Sequence, residues 1–282
     1  MDVDAVSVAL KFCTYVGVLQ AAGIALFLAL FGDTLGASRD ALRRLGLGFT
    51  LGGSASLLLF QAQEAARMAG EFAGVLDGSL QGLALQLRMG QANCVRLAAL
   101  LLLAIAFTLR HRASGPLALA GALLASASFT WVGHTSTHVW RWILAPVLWL
   151  HVSIAAFWFG ALLPLGVACR REDAGAGRRL VQRFSTLAGT WVPLLAAAGI
   201  ALGLGLTGAR LAGTPYVRAL LLKLAAFVVL MGFAAINRWR LGPAVGSGPA
   251  AARALRRSLW MEYAVMLAVI ALTAALTSLY SP

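Results

Sequence analysis

Charge is what this chain has least of. Asp, Glu, Lys and Arg supply 12% of its 282 residues, about half the share of an ordinary soluble domain. Too few charges remain to cover a water-facing surface. Cysteine is also scarce: Cys13, Cys94 and Cys169 stand far apart without a CxxC pair. That excludes a disulfide framework, a zinc knuckle and a CxxCH haem-attachment site. The chain carries no Walker loop and no GxSxG elbow, so nucleotide-driven chemistry and that class of hydrolase have no basis in it.

What is abundant is apolar surface, 60% of residues with a mean hydropathy of +0.83. It falls in long runs, and a helix of about 20 such residues crosses a hydrocarbon layer of ~30 Å. In lipid the backbone must satisfy its own hydrogen bonds, so the runs must be helices. The expected fold is all-α, a single polytopic membrane domain over 1–282. Eight spans are expected, near 6–31, 46–68, 92–109, 116–137, 144–168, 186–209, 216–237 and 258–280. No basic segment precedes the first run, which is long enough to span and is expected to remain a membrane helix rather than a cleaved leader. Residues 69–91 alternate Glu71, Asp77, Gln81, Gln86 and Arg88 with Phe72, Val75, Leu76, Leu80, Leu83 and Leu87. That pattern suits an amphipathic helix lying at the interface. Gly242–Gly248 reads as a loop.

The net charge of +13 would suggest nucleic acid in a soluble protein. Here the arginines sit in short connectors, where they orient the chain in a bilayer. Fifteen fall in connectors one, three, five and seven, among them Arg39, Arg43, Arg110, Arg170, Arg183, Arg238 and Arg256. Six others, Arg67, Arg88, Arg96, Arg141, Arg210 and Arg218, lie in the alternate connectors and their edges. The odd connectors are therefore expected in the cytoplasm and both termini outside. Trp131, Trp140, Trp142 and Trp149 gather at the outer junction of spans four and five, as an interfacial belt does. Gly199, Gly203, Gly205 and Gly208 read as close helix packing.

Three of the four histidines, His134, His138 and His151, lie within eighteen residues. His134 and His138 are four apart and share a helix face. With Pro146 in the first turn of span five, His151 stands ~8 Å further in. His134 and His151 are then expected to approach across antiparallel helices. Converging imidazoles suit copper or zinc; hydrogen bonds to neighbouring helices or interfacial water account for them equally. His111, between Arg110 and Arg112, reads as surface.

Ionisable groups at membrane depth need partners or water. Lys223 lies well inside span seven and is expected either to pair with a carboxylate or to snorkel toward Tyr216. Glu64 and Glu262 lie near span ends, with an ion pair to Arg256 or Arg257 the simplest reading of Glu262. Lys11 is expected to reach toward Asp2 or Asp4. The six methionines form no closely spaced run, so a thioether relay has no support.

Three stretches carry a family resemblance. Gly133-His134 is followed by Leu150-His151, Trp158, Gly160 and Leu163-Pro164-Leu165. Arg183-Phe184-Ser185 opens span six. Thr214-Pro215-Tyr216, Leu222-Lys223 and Asn237-Arg238 mark span seven, and the last helix begins Leu255 to Glu262. In order and spacing, over about 130–280, the chain resembles the copper resistance D family of inner-membrane proteins. The resemblance implies copper handling across the bacterial inner membrane beside a separate periplasmic partner of the CopC type. It maps the family's histidines onto His134 and His151, and its other recurrent positions onto Trp158, Tyr216, Lys223 and Glu262. His138 lies outside the shared pattern.

The function expected from residues and resemblance together is transport rather than catalysis. His134 and His151, with His138 as auxiliary ligand, would take up copper outside, and Glu64, Lys223, Glu262, Tyr216 and Trp158 would line or gate the polar path inward. Two alternatives use the same histidines: a membrane redox protein holding haem between helices, and an assembly factor that holds copper without conducting it.

Overall fold

The computed structural model describes residues 3–110, 113–207 and 215–279. His111, Arg112 and the 208–214 segment lie outside the described residues, as do the side chains of His134 and Tyr216. The architecture is helical, with no strand among the described residues. Its α-helices are α1 (Val3–Phe31), α2 (Arg39–Ala69), α3 (Gly78–Gln86), α4 (Arg88–Thr108), α5 (Ser114–Ala127), α6 (His134–Thr137), α7 (Arg141–Arg171), α8 (Ala174–Thr207), α9 (Pro215–Ile236), α10 (Gly242–Ala244) and α11 (Pro249–Leu279).

Seven of these helical stretches are long and apolar enough to cross a membrane, so the chain is a multi-pass membrane protein. The expected fourth span, 116–137, is built differently. Its α-helix stops at Ala127 and continues as a 3₁₀ turn over Ser128–Trp131. Ser126, Ser128 and Thr130 all bond back to carbonyls one turn earlier, a habit that loosens helices. Gly133 then adopts φ +80°, ψ −174°, a conformation open essentially only to glycine. The α and 3₁₀ parts together still reach about 29 Å.

α1 is the central helix, packed against α2, α4, α5, α7 and α11. Two glycine pairs let it sit there. A Cβ on Gly17 would collide with Gly53 of α2, and one on Gly23 with Ala156 and Gly160 of α7. Small residues bring helix backbones together where lipid offers no hydrophobic drive. These pairs, not Gly199, Gly203 or Gly205, make the backbone contacts, and Gly208 lies outside the described residues. α9 is peripheral, resting mainly on α11.

The connectors sort to two ends. At one, Lys11 Nζ of α1 donates to Thr277 O (2.8 Å) and Ser278 Oγ (3.3 Å) of α11, rather than reaching Asp4. Glu64 pairs with Arg67 (3.2 Å), and Arg67 with Asp4 (3.3 Å). At the arginine-rich end, Arg183 of α8 grips Asp33 at 2.8 Å, and Arg43 donates to the Leu109 carbonyl that closes α4. Glu172, just past α7, accepts from Ser38 Oγ and from the backbone N–H groups of Gly36, Ala37 and Ser38. Partial burial works against its charge, but those donors hold its carboxyl below the usual value.

Residues 69–91 fold as two short pieces rather than one helix, a 3₁₀ turn at Phe72–Leu76 and α3. Asp77 caps α3, accepting from Ser79 N (2.8 Å) and Leu80 N (3.2 Å), a placement that satisfies two otherwise orphaned donors.

Candidate functional site

Pro146 falls in the second turn of α7, which begins at Arg141. His151 therefore lies about ten residues along, ~15 Å from the helix start. Its imidazole turns toward α8, where Nδ1 is 3.1 Å from Leu195 O. A carbonyl can only accept, so Nδ1 carries the hydrogen and Nε2 keeps the lone pair. Metal-binding histidines are commonly fixed this way, one nitrogen donating to a backbone carbonyl and the other left to ligate. Gly199, one turn beyond Leu195, makes the room. A Cβ there would stand 3.2 Å from His151 Cε1 and 3.5 Å from Nδ1. The sequence suggested helix packing for Gly199; its neighbour is an imidazole.

His138 lies just after α6, and its Nδ1 accepts from Trp140 N at 3.1 Å. Its lone pair is thus turned into its own loop, and ligation through Nδ1 requires the ring to rotate. α6, which begins at His134, rests on α7. Among the described residues no group of three or more His, Cys, Asp or Glu side chains is placed to hold a metal ion.

Two turns along α7 from His151, ~10 Å down the axis, Trp158 is 2% exposed. Its Nε1 donates to Glu262 Oε1 at 2.6 Å. Asn237 Nδ2 donates to Glu262 Oε2 at 2.8 Å. The expected ion pair of Glu262 with Arg256 or Arg257 is not what forms: the carboxylate turns inward between α7 and α9, 2% exposed, and two neutral donors replace the arginines. Nothing in the sequence spacing tied Asn237 to Glu262, since the pairing needs the π-helical turn Asn237–Leu241 that ends α9. π turns of this kind recur at functional sites.

Lys223 stands one turn before Phe227 on α9, and Phe227 meets Trp158 edge-on at 6.4 Å. Among the described residues no carboxylate pairs with Lys223. The side chains thus form two levels in the C-terminal helices. His151 and Lys223 make one; Trp158, Glu262 and Asn237 make the other. Glu64 belongs to neither, being engaged with Arg67 at the far end of α2.

The motif Arg183-Phe184-Ser185 is also accounted for. Arg183 holds Asp33, Phe184 packs against Phe31 (6.3 Å) and Phe157 (5.6 Å), and Ser185 O accepts from Arg238. Next to Arg238 in sequence is Asn237, so one short segment touches both Glu262 and α8.

Comparison with known proteins gives two family matches. The family described as copper resistance protein D-like, N-terminal domain, matches residues 1–139, and that described as copper resistance protein D matches residues 178–276. The likeness thus takes in the first half, where no motif had been read. The copper resistance protein D of Pseudomonas syringae pv. tomato is 28% identical over 306 residues, spanning 98% of this chain and 97% of that relative. No solved structure matches.

Proposed function

The chain belongs to the copper resistance D family, and on that premise we propose that it carries copper from the periplasmic side of the inner membrane inward. His134 and His151 take up the ion, with His138 joining when its ring turns. Below them the path runs past Lys223 and Tyr216 to Trp158 and Glu262. The observation that carries this reading is the placement of His151. Its Nδ1 is tied to Leu195 O, Gly199 leaves space beside it, and Nε2 is free to ligate as neutral imidazole does. The buried Glu262 on the same side of the bundle supplies the polar group that a cation crossing lipid requires. A separate periplasmic protein of the CopC type delivers the ion in this scheme.

Copper uptake into proteoliposomes tests it, comparing wild type with His134→Ala/His151→Ala. The expected result is copper flux in the wild type and its loss in the double variant. Equal flux and equal bound copper in both would remove the histidine site. Copper bound at His151 without flux would turn the reading to a protein that holds copper for a partner.

A further inference from the structure

Among the described residues, Glu262 is the only carboxylate enclosed in the bundle interior. A charge at such depth ordinarily has a cation beside it. Here no cation forms an ion pair with Glu262 among the described residues. Arg238, adjacent to Asn237, turns to Ser185 O; Lys11 of α1 is held at the opposite end of α11 by Thr277; Lys223 of α9 stands one turn before Phe227, which meets Trp158, and makes no ion pair with Glu262. The neighbouring Tyr263 stacks on Phe159 at 4.9 Å. What faces Glu262 is Trp158 from α7 and Asn237 from the end of α9.

Those two partners differ in a way that matters. An indole N–H can only donate, so Trp158 suits Oε1 in either protonation state. An amide both donates and accepts. Asn237 gives Nδ2–H to Oε2, while its Oδ1 is buried with no hydrogen-bond partner. Leaving a buried acceptor unmatched is costly, and it needs a reason. A neutral carboxyl would supply one, because its O–H needs an acceptor that an arginine or lysine partner could never offer. The torsion that turns the Asn237 amide is a soft sp³–sp² one.

We propose that Glu262 is the proton-carrying group of the transport cycle, loaded at Oε2, with Asn237 turning its amide to serve both states. This deepens the copper-transport reading and rests on it. On loading, a proton from water bonds to Oε2, and Nδ2–H···Oε2 is replaced by Oε2–H···Oδ1. On release the proton returns to water and the amide turns back. No electrons move, and the Trp158 bond holds the side chain in place throughout. Asn237 opens the π turn whose next residue, Arg238, holds Ser185 on α8. The same helix carries Leu195 and Gly199, which position His151. The proton state of Glu262 therefore bears on the helix that shapes the copper site.

The test is copper-driven proton movement, followed with a pH dye inside proteoliposomes, for wild type, Glu262→Gln and Asn237→Leu. In the wild type, copper flux is accompanied by a pH change. In Glu262→Gln that change falls by about tenfold or more relative to copper bound, and in Asn237→Leu it falls too. A Glu262→Gln protein that keeps both copper flux and its pH change overturns the proposal and leaves the transport reading standing. Wild-type copper flux without any pH change does the same. A wild type that carries no copper overturns both. Should Glu262→Gln fail to fold, infrared difference spectra of the wild type decide: a protonated-carboxyl band that responds to pH and copper is expected, and its absence contradicts the proposal.

Discussion

Gly199 and His151 are in contact across α7 and α8, with the imidazole Cε1 3.2 Å from where a Cβ on Gly199 would stand. The glycine therefore sets the position of the ring, and through it the direction of Nε2. Gly199→Ala is expected to shift the ring slightly and weaken copper binding a few-fold. Gly199→Leu is expected to displace it and abolish binding, at an overpacking cost of about 1–3 kcal/mol. Isothermal titration with copper, beside a melting curve of each variant, checks this. Wild-type affinity in Gly199→Leu would sever the link between the two residues.

Trp158→Phe removes the indole donor from Glu262 Oε1 while keeping a ring against Phe227. The expected loss is about 1–3 kcal/mol, the cost of stranding a buried acceptor. The double variant Trp158→Phe/Glu262→Gln is expected to lose less than the two single variants together, because the residues act as a pair. Additive melting temperatures would mean that the hydrogen bond contributes nothing.

Glu172 fastens the end of α7 to the start of α2 through Ser38. Its folded carboxyl lies below the ordinary value of 4.5, so its contribution is fully present above that value and is lost as pH falls through the lower folded one. Glu172→Gln is expected to be less stable than wild type at pH 7, with the gap closing under acid. Thermal unfolding in detergent at several pH values measures it. A constant gap from neutral pH down to strong acid would contradict the assignment.

The membrane class of the fold was legible because it depends on composition and run length, which a sequence states outright. The helical break before His134 was not, and the fourth span reads from its sequence as continuous through 137. The 3₁₀ turn comes with three hydroxyls bonding to carbonyls about one turn earlier, and no periodicity announces that. For the site, Glu262 could be picked out from the residue pattern and Trp158 through the family resemblance, yet their contact could not. They lie on different helices, and the nearby arginines offered Glu262 a plausible surface partner. Asn237 was legible only as part of a motif, because the π turn that aims it at Glu262 has no sequence signature. Lys11 was misassigned for a similar reason: its partner Thr277 sits at the other end of the chain, beyond any local reading.

The most direct measurement is the copper content of the purified protein after loading and washing, with a visible spectrum of the same sample. The account expects wild type to retain copper, His134→Ala/His151→Ala to lose it, and neither to show a Soret band. A wild type without copper, or one whose histidines hold haem, would contradict it.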